Sequence, residues 1–440
     1  MQEAGSEANR EASASKGRDR LGPDFVKLWL AQGVSNLGDG IYLTALPLLA
    51  ATLTRDPLPV SAVMFAEWLP WLLLGLLAGA LLDRWERRRV MWMVDAARLV
   101  AVGGFAVEVL LGWASIPLLM ATGFLLGTGQ TLVDTASQAL IPALVSRDPG
   151  RLARANGRLA GTRMVAEELA GPPAGGFLFA ASAWLPFAAD AVSFGASSAL
   201  VAAIPGRPVA RGAPSEAAGR RSSLRAEIAE GLGWLFAHRV LLAMALLVAG
   251  INLVAAARIA VMVLFAQEQL GLGSVGFGLL LAGAAVGGTL GSLVAPWLSR
   301  RLGAVPVMLG GSILSGVATF GVGLTRDPWV AGALLALVGL CAVTFNVILE
   351  SLRQQLVPDR LLGRVIGAFR LFSYGALPLG ALLGGVLARS FGLPAPFLVA
   401  GVAIPVVTLL ILPFVNRRTV EHALAAVEED TASPATGSIE

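Results

Sequence analysis

The chain has 440 residues, of which 56% are hydrophobic and 14% charged, and its mean hydropathy is +0.73. This composition excludes an ordinary water-soluble domain, in which about 25% of residues are charged. The apolar residues form blocks long enough to cross about 30 Å of hydrocarbon as helices, which takes about 20 residues each. Short alternating segments typical of a membrane barrel do not occur in the sequence. We therefore expect an all-α membrane protein.

Residues 1–24 are polar and lack an apolar core, so we expect a disordered tail rather than a signal peptide. About twelve apolar spans follow. They cover residues 25–52, 60–82, 90–112, 115–138, 154–181, 184–204, 239–266, 275–299, 305–325, 328–352, 361–388 and 392–414. Residues 415–440 form a second polar tail.

The longest connection, residues 205–238, divides the spans into two sets of six. Its first part contains Pro and Gly, which is typical of a flexible linker. In its second part apolar residues recur at helical spacing beside charged ones, which predicts an amphipathic helix at the membrane surface. These apolar residues are Leu224, Ile228, Leu232 and Leu235. The sequence thus predicts six-helix domains at residues 25–204 and 239–414.

Arginine is distributed unequally between alternate connections. The connections after spans 2, 4, 6, 8 and 10 contain several arginines each, whereas the opposite set has little beyond Arg55, Arg326 and Arg389. Short connections rich in Lys and Arg remain cytoplasmic, so both termini are predicted to be cytoplasmic. The net charge of +4 therefore reflects membrane topology, and we expect no nucleic-acid partner.

An internal repeat supports the division into two halves. Residues 79–89 have a counterpart at residues 291–301, with a glycine at the start and two arginines at the end of each. Residues 144–175 similarly match residues 356–385 after a small gap. Two similar halves in one orientation are a transporter architecture, with the binding site expected between them near the middle of the bilayer.

Metal and cofactor chemistry are not expected. The single cysteine, Cys341, lies in an apolar block, and the two histidines are His238 and His422. These residues cannot supply a disulfide framework or a Cys/His metal site. The same lack of reactive clusters argues against a membrane-embedded enzyme.

The connection after the second span resembles the signature G-x-x-x-D-[RK]-x-G-[RK]-[RK] of the major facilitator superfamily. It is carried here by Gly79, Asp83, Arg84, Arg87 and Arg88. Glu86 stands where the signature has its second glycine. The resemblance extends from Phe25 to Val415 and implies twelve helices in two halves, a monomer and a cytoplasmic gate formed by this charged motif. A gate of this kind pairs charges with the other half in one state and separates them in another.

The fifth span contains a second motif, residues 171–176 (GPPAGG). Its residues Gly171, Pro172, Gly175 and Gly176 are similar to the G-P-x-x-G-G core found in drug and proton antiporters of this superfamily. Residues 32–40 and 138–156 further resemble the branch of macrolide efflux proteins and siderophore exporters. The resemblance implies proton-coupled efflux of a small hydrophobic compound across the inner membrane, in contact with membrane lipids. A lipid or lysolipid flippase and an uncoupled facilitator are the alternatives.

Ionisable side chains within hydrocarbon are costly and are therefore functional candidates. Asp39 is the leading one, because it lies within the first span near the polar residues Gln32 and Asn36. Loss of water favours the neutral form of a carboxyl group, which would allow Asp39 to exchange a proton. Alternatively, Asp39 caps or pairs with a neighbour. Its flanking glycines would let substrate or another helix approach closely.

The fifth span contains Glu167 and Glu168, with Arg163 one turn before them at ion-pair spacing. Proton exchange and a fixed structural pair are both open for these glutamates. Asp95 and Arg98 in the third span have the same spacing, which favours a structural ion pair.

The resemblance places the first, fourth, seventh and tenth spans around the central cavity. Their further polar residues are Gln130, Asp134, Asn252, Arg258, Asn346 and Glu350. Arg258 could pair with Asp39 or bind an anionic substrate. Glu67 and Asp190 are expected near the outer face, where acids are usually solvated. The arginine that the family carries in its fourth helix has no equivalent at residues 122–129.

Overall fold

A computed structural model describes residues 21–75, 85–145, 148–205, 224–357, 359–416 and 418–422 of the chain. The regular elements in this part are all helical. Its first half contains α1 (Pro23–Leu53), α2 (Pro57–Leu74), α3 (Arg87–Leu110), α4 (Ile116–Val145), α5 (Pro149–Arg163), a π-helical segment (Met164–Ala170), α6 (Gly171–Ala181) and α7 (Leu185–Ala202). The predicted all-α fold is confirmed.

The second half follows the same pattern of long helices. It contains α8 (Leu224–Ala237), α9 (Arg239–Glu268), α10 (Ser274–Leu302), α11 (Ala304–Leu324), α12 (Pro328–Leu356), α13 (Asp359–Phe391) and α14 (Ala395–Ile411). Helix α8 lies within the predicted linker, packs against α13 and buries Leu235. Nine helices in the described ranges are long and apolar enough to cross a membrane.

Three helices begin at an Asp-Pro pair. The aspartate accepts a hydrogen bond from a backbone N–H of the first turn, and the proline occupies the first helical position, where no N–H is needed. The pairs are Asp56-Pro57 with Leu58 N at 3.0 Å, Asp148-Pro149 with Arg151 N at 2.8 Å and Asp327-Pro328 with Trp329 N at 2.8 Å. These local signals fix where α2, α5 and α12 start.

The two ends of the bundle differ in how their apolar cores are shared. We call the end that carries the Arg-rich connections after α2, α4, α7, α10 and α12 the basic end. At the other end one buried core joins residues of both halves, including Leu46, Phe187, Phe265 and Phe397. Towards the basic end the described core is divided into one cluster from the first half and one from the second. The bundle is therefore closed at the end opposite the basic end.

Ion pairs and hydrogen bonds between the halves also lie at the closed end. Arg55, before α2, donates to Gln267 Oε1 of α9 at 2.5 Å, and its guanidinium lies 3.9 Å from a carboxylate oxygen of Glu268. Arg389 of α13 lies 3.6 Å from Asp56. Arg55 and Arg389, which lie in the connections that contain few arginines, thus each link the two halves.

The fifth predicted span is interrupted by the π-helical segment. Pro172 and Pro173 lack backbone N–H donors, so the helix before them cannot complete its usual i→i−4 hydrogen bonds. The N–H of Gly171 bonds to Ala166 O, five residues earlier. The irregular geometry thus lies in the turns directly before the two prolines.

Glycines of the GPPAGG motif bring backbones into direct contact. A Cβ atom on Gly171 would collide with Gly40 of α1, and one on Gly40 would collide with the carbonyl of Glu167. On the other side of α6, a Cβ atom on Gly176 would lie 2.5 Å from the carbonyl oxygen of Ser274 in α10. The motif therefore packs α6 closely against α1 and against the second half.

Candidate substrate cavity

A cavity of about 170 Å³ lies in the first half, between α1, α2, α3, α4 and the π-helical segment. It is lined by Asp39, Tyr42, Leu43, Glu67, Trp68, Trp71, Arg98, Leu126, Gly127, Gln130, Arg163 and Glu167. Three carboxyl groups, two guanidinium groups and three large aromatic rings thus surround one space. Charged side chains at membrane depth typically line substrate or ion pathways.

Asp39 lies on α1 and contributes its carboxyl group to the cavity. Ser35, one turn earlier, lies 3.5 Å from it at the limit of a hydrogen bond. The charged groups that act on it include Arg98, Glu167 and Asp134. Of the other predicted polar residues of α1, Gln32 bonds to Ser137 of α4 and Asn36 is half-buried. Asp39 therefore lies at the centre of a group of charges rather than at a helix cap.

Arg98 reaches from α3 to the face of α4. Its Nη2 donates to the carbonyl of Leu126 at 3.0 Å and to Gln130 Oε1 at 2.6 Å. Gln130 in turn donates to Asp134 at 3.1 Å. A Cβ atom at position 129 would lie 2.5 Å from Arg98 Nε, so Gly129 provides the space that the arginine occupies. Arg98 of α3 thus places a guanidinium against the face of α4.

The other side of Arg98 is also enclosed. Asp95 lies 3.8 Å from its guanidinium and accepts a hydrogen bond from Ser197 of α7 at 2.7 Å. The guanidinium carbon lies 4.6 Å from the centre of the Phe194 ring, in cation–π contact. The predicted Asp95–Arg98 ion pair is confirmed. The sequence did not identify Arg98 as a cavity residue. The signal for it was Gly129 on the facing helix α4, because a glycine there leaves space for a long side chain.

Arg163 and Glu167 form the ion pair that their spacing predicts. Arg163 Nε lies 2.7 Å from Glu167 Oε2, with a second contact of 3.3 Å to Oε1. Glu168 is exposed and does not line the cavity. Proton exchange by either glutamate stays a prediction.

The expectation that Glu67 and Asp190 are solvated acids is wrong. Glu67 is 8% exposed and Asp190 is fully buried. Gly123 and Gly127 of α4 let α2 approach so closely that Glu67 is enclosed, and Gly38 of α1 similarly accommodates Asp190. Within the described part of the chain, Glu67 Oε2 and Asp190 Oδ2 have no hydrogen-bond partner. Glu67 lines the cavity, whereas Asp190 lies behind α1.

The predicted residues of the second half are not gathered around Asp39. Asn252 of α9 donates to Ser373 O of α13 at 2.8 Å, which joins two helices of the same half. Asn346 of α12 is exposed, and Glu350 pairs with Arg353 one turn later. Arg258 is half-buried and forms no ion pair with Asp39, whose neighbouring arginine is Arg98.

The charged motif after α2 is described in part. Gly79, Asp83 and Arg84 lie outside the described residues. Arg87 donates to Ala139 O of α4 at 3.1 Å, and Arg88 donates to Ala202 O at 3.1 Å and Ile204 O at 2.5 Å at the end of α7. Glu86, which replaces the glycine of the signature, pairs with Arg88 and Arg89. These contacts remain within the first half, and the gate role stays a prediction.

Over the ranges that the structure describes, no group of three or more His, Cys, Asp and Glu side chains could hold a metal ion.

Residues 22–435 match the family profile described as transmembrane secretion effector, which belongs to the major facilitator superfamily. The chain is a member of this family. It is a transporter of the drug-efflux branch and not an enzyme, and it is a multi-pass cell-membrane protein.

Two relatives of this chain are multidrug efflux pumps named Tap. The pump of Mycobacterium tuberculosis (strain ATCC 25618 / H37Rv) is 29% identical over 403 residues, which cover 88% of this chain and 91% of the pump. The pump of Mycolicibacterium fortuitum is 29% identical over 395 residues, covering 86% and 92%. Homology to transporters implies a small-molecule substrate for this chain.

Solved structures of the same fold superpose on this chain. A bacterial homologue of the iron transporter ferroportin superposes with a TM-score of 0.71 at 19% identity, covering 91% of this chain and all of that one. The nucleoside transporter NupG gives 0.69 at 14% identity, covering 89% and 99%. These similarities concern the fold alone.

Proposed function

We propose that this transporter exports a small hydrophobic compound in exchange for protons, by alternating access. The observation that carries the proposal is Asp39, a carboxyl group within the membrane that lines the cavity together with Arg98 and Glu167. Removal from water favours the protonated acid, while the nearby arginine favours the ionised one. Opposing influences of this kind allow a carboxyl group to change its protonation state during a transport cycle.

Proton and substrate would compete for Asp39. When Asp39 is ionised, the cavity can bind substrate. When Asp39 takes up a proton from the opposite side of the membrane, its neutral carboxyl group no longer attracts the substrate. A ligand shifts a conformational equilibrium only by its difference in affinity for the two states. Exchange therefore requires that protonated and substrate-bound protein favour different orientations, and the group of charges around Asp39 supports such coupling.

The topology that we propose has twelve crossings and cytoplasmic termini. Nine of these crossings are the long apolar helices. The other three would be α1, α14 and the unit formed by α5, the π-helical segment and α6. The basic end then faces the cytoplasm, because Lys and Arg are retained there. Residues 25–204 and 239–414 would form the two moving units, connected by residues 205–238.

The distribution of the core supports alternating access. One core joins both halves at the closed end, and two separate cores lie towards the basic end. With the proposed topology, this arrangement opens the cavity towards the cytoplasm, from which an exporter loads its substrate. Closing the basic end would bring the charged motif with Arg87 and Arg88 against the second half.

The test is efflux of a panel of fluorescent drugs and macrolides from cells that express the wild type, Asp39→Asn or Asp39→Glu, with and without a protonophore. We expect wild-type efflux to stop with the protonophore, Asp39→Asn to abolish it and Asp39→Glu to retain part of it. An efflux rate that is unchanged both by the protonophore and by Asp39→Asn would support an uncoupled facilitator instead. If no compound moves and labelled lysolipid does, the lipid flippase is the better description.

A further inference from the structure

An apolar groove lies between α9 and α13 in the second half. Its volume is about 470 Å³, and the residues that line it are all apolar. The space arises where small residues face each other, with Ala249 and Gly250 on α9 and Gly375 and Ala376 on α13. A space without polar groups does not hold water well. A ligand of this groove must therefore present hydrocarbon to it.

Neighbouring helices close the two edges of the groove. A Cβ atom on Gly375 would lie 3.1 Å from Leu72 of α2, and one on Gly250 would lie 3.3 Å from Val407 of α14. The groove is thus bounded by α2 on one side and by α14 on the other. This shape suits a long, narrow ligand that lies along the helices.

The groove faces away from the cavity of the first half. Tyr374 of α13 contacts Trp71 of that cavity, with ring centres 5.5 Å apart. Leu379, which lines the groove, follows five residues later and so lies about 140° around the helix. Leu246 and Leu379 are 48% and 59% exposed. Because the chain is a multi-pass membrane protein, this exposed face meets the hydrocarbon of the bilayer.

An arginine lies in line with the groove at the basic end. Arg239 is the first residue of α9, and the groove residues Leu246, Gly250 and Leu253 share its face of the helix. Leu246 lies about 10 Å and Leu253 about 21 Å along the axis from Arg239. The hydrocarbon of one leaflet is about 15 Å thick, so the groove lies at the depth of acyl chains and Arg239 at the depth of headgroups. Arg239 is exposed, and no described acid lies within ion-pair distance of it.

The linker helix α8 borders the groove at the same end. Phe236 of α8 contacts the groove residue Phe372, with ring centres 6.0 Å apart and ring planes at 78°. Phe236 is 55% exposed, whereas Leu235 beside it is buried in the core of the second half. An amphipathic helix of this kind lies at the membrane surface. A ligand that fills the groove up to Arg239 therefore also contacts the linker helix.

We infer that the groove binds one anionic phospholipid of the leaflet at the basic end, with its phosphate on Arg239 and one acyl chain between α9 and α13. The apolar walls match the chain, and the unpaired guanidinium matches the negative headgroup. Basic sites beside membrane-spanning helices recognise anionic headgroups in this way. The lipid holds α8 against the second half and so fixes the position of the linker. This site does not depend on proton exchange or on the exported compound.

The test is native mass spectrometry of purified full-length protein from mixed micelles that contain equal amounts of phosphatidylglycerol and phosphatidylcholine with identical acyl chains. Arg239→Gln removes the charge, and Arg158→Gln, at an exposed arginine of α5, is its matched control. Ala376→Phe fills the groove. Ala403→Phe is the control for it, because Ala403 lines a second apolar groove, between α11 and α14.

We expect wild type and both controls to retain one phosphatidylglycerol in preference to phosphatidylcholine. Arg239→Gln should lower this preference about fivefold, as for one arginine at an anionic membrane surface. Ala376→Phe should lose the retained lipid, because the ring occupies the place of the acyl chain. Thermal unfolding identifies a variant that fails to fold, and Arg239→Gln, at an exposed position, then decides.

Equal retention of the two lipids by wild type would overturn the inference, as would an unchanged preference in folded Arg239→Gln or a retained lipid in folded Ala376→Phe. Displacement of the lipid by added erythromycin would also overturn it, because the groove would then be a substrate site. A dimer that Ala376→Phe dissociates would make the groove an interface between copies of the chain and would likewise overturn it.

Discussion

The two halves of the protein differ in the chemistry that they bury. Among the described residues, the first half has four buried ionisable side chains: Glu67, Asp95, Arg98 and Asp190. The second half has Arg353, whose partner Glu350 is 48% exposed near the basic end. Two halves of similar architecture therefore differ in chemistry, since the first encloses several charged groups and the described core of the second is largely apolar.

Replacing one arginine in each half should give the largest difference. Arg98→Met leaves Asp95 buried without its cation and should lower the free energy of unfolding by about 3–5 kcal/mol. Arg258→Met removes a half-buried arginine that has no ion pair with Asp39, and replacing it by an apolar side chain should change stability by less than about 1 kcal/mol. Unfolding in mixed detergent micelles measures both. Equal losses would show that the two halves depend on buried charge to the same extent.

A smaller effect is expected from adding a methyl group to one glycine in each half. Gly40→Ala places Cβ against the carbonyl of Glu167, and overpacking of this kind costs about 1–3 kcal/mol. Gly283→Ala in α10 meets no atom within 4 Å and should be neutral or stabilising by up to about 1 kcal/mol, because alanine is the better helix former. The same unfolding measurement applies. A Gly40→Ala protein as stable as Gly283→Ala would contradict the close contact of α1 with the π-helical segment.

Removing the Arg389–Asp56 ion pair between the halves should give the smallest effect on stability. Arg389→Gln removes the ion pair with Asp56, whose side chains are 59% and 34% exposed, and such pairs contribute about 0.2–1 kcal/mol. Weakening the closed end should reduce the fraction of protein that is open at the basic end by at most about fivefold. Thiol labelling of Asn346→Cys in a Cys341→Ser background reports that fraction. Arg326→Gln is the control, and a change larger than tenfold would mean that this pair alone determines the conformation.

The helices could be predicted from the sequence because they depend on local signals. Apolar blocks, Asp-Pro starts and arginine-rich connections each act over a few residues, and the all-helical fold follows from them. The cavity depends on contacts between helices distant in the chain. Arg98 enters it only because Gly129 lies opposite, and Glu67 is buried only because Gly127 allows α2 to approach α4. The pattern of one helix could not reveal either contact.

The contact of Gly176 with Ser274 has a mechanical consequence. Backbone atoms have no alternative rotamers, so this contact between α6 and α10 is stiff, and in the proposed alternating access one half would turn about it. The far end of α10 at Leu302 is about 42 Å away at a rise of about 1.5 Å per residue. A rotation of about 10° at this pivot would displace that end by about 7 Å, by the same helix geometry. In the proposed cycle, a small adjustment at the closed end would thereby be amplified along the helix into a displacement of several ångströms at the basic end.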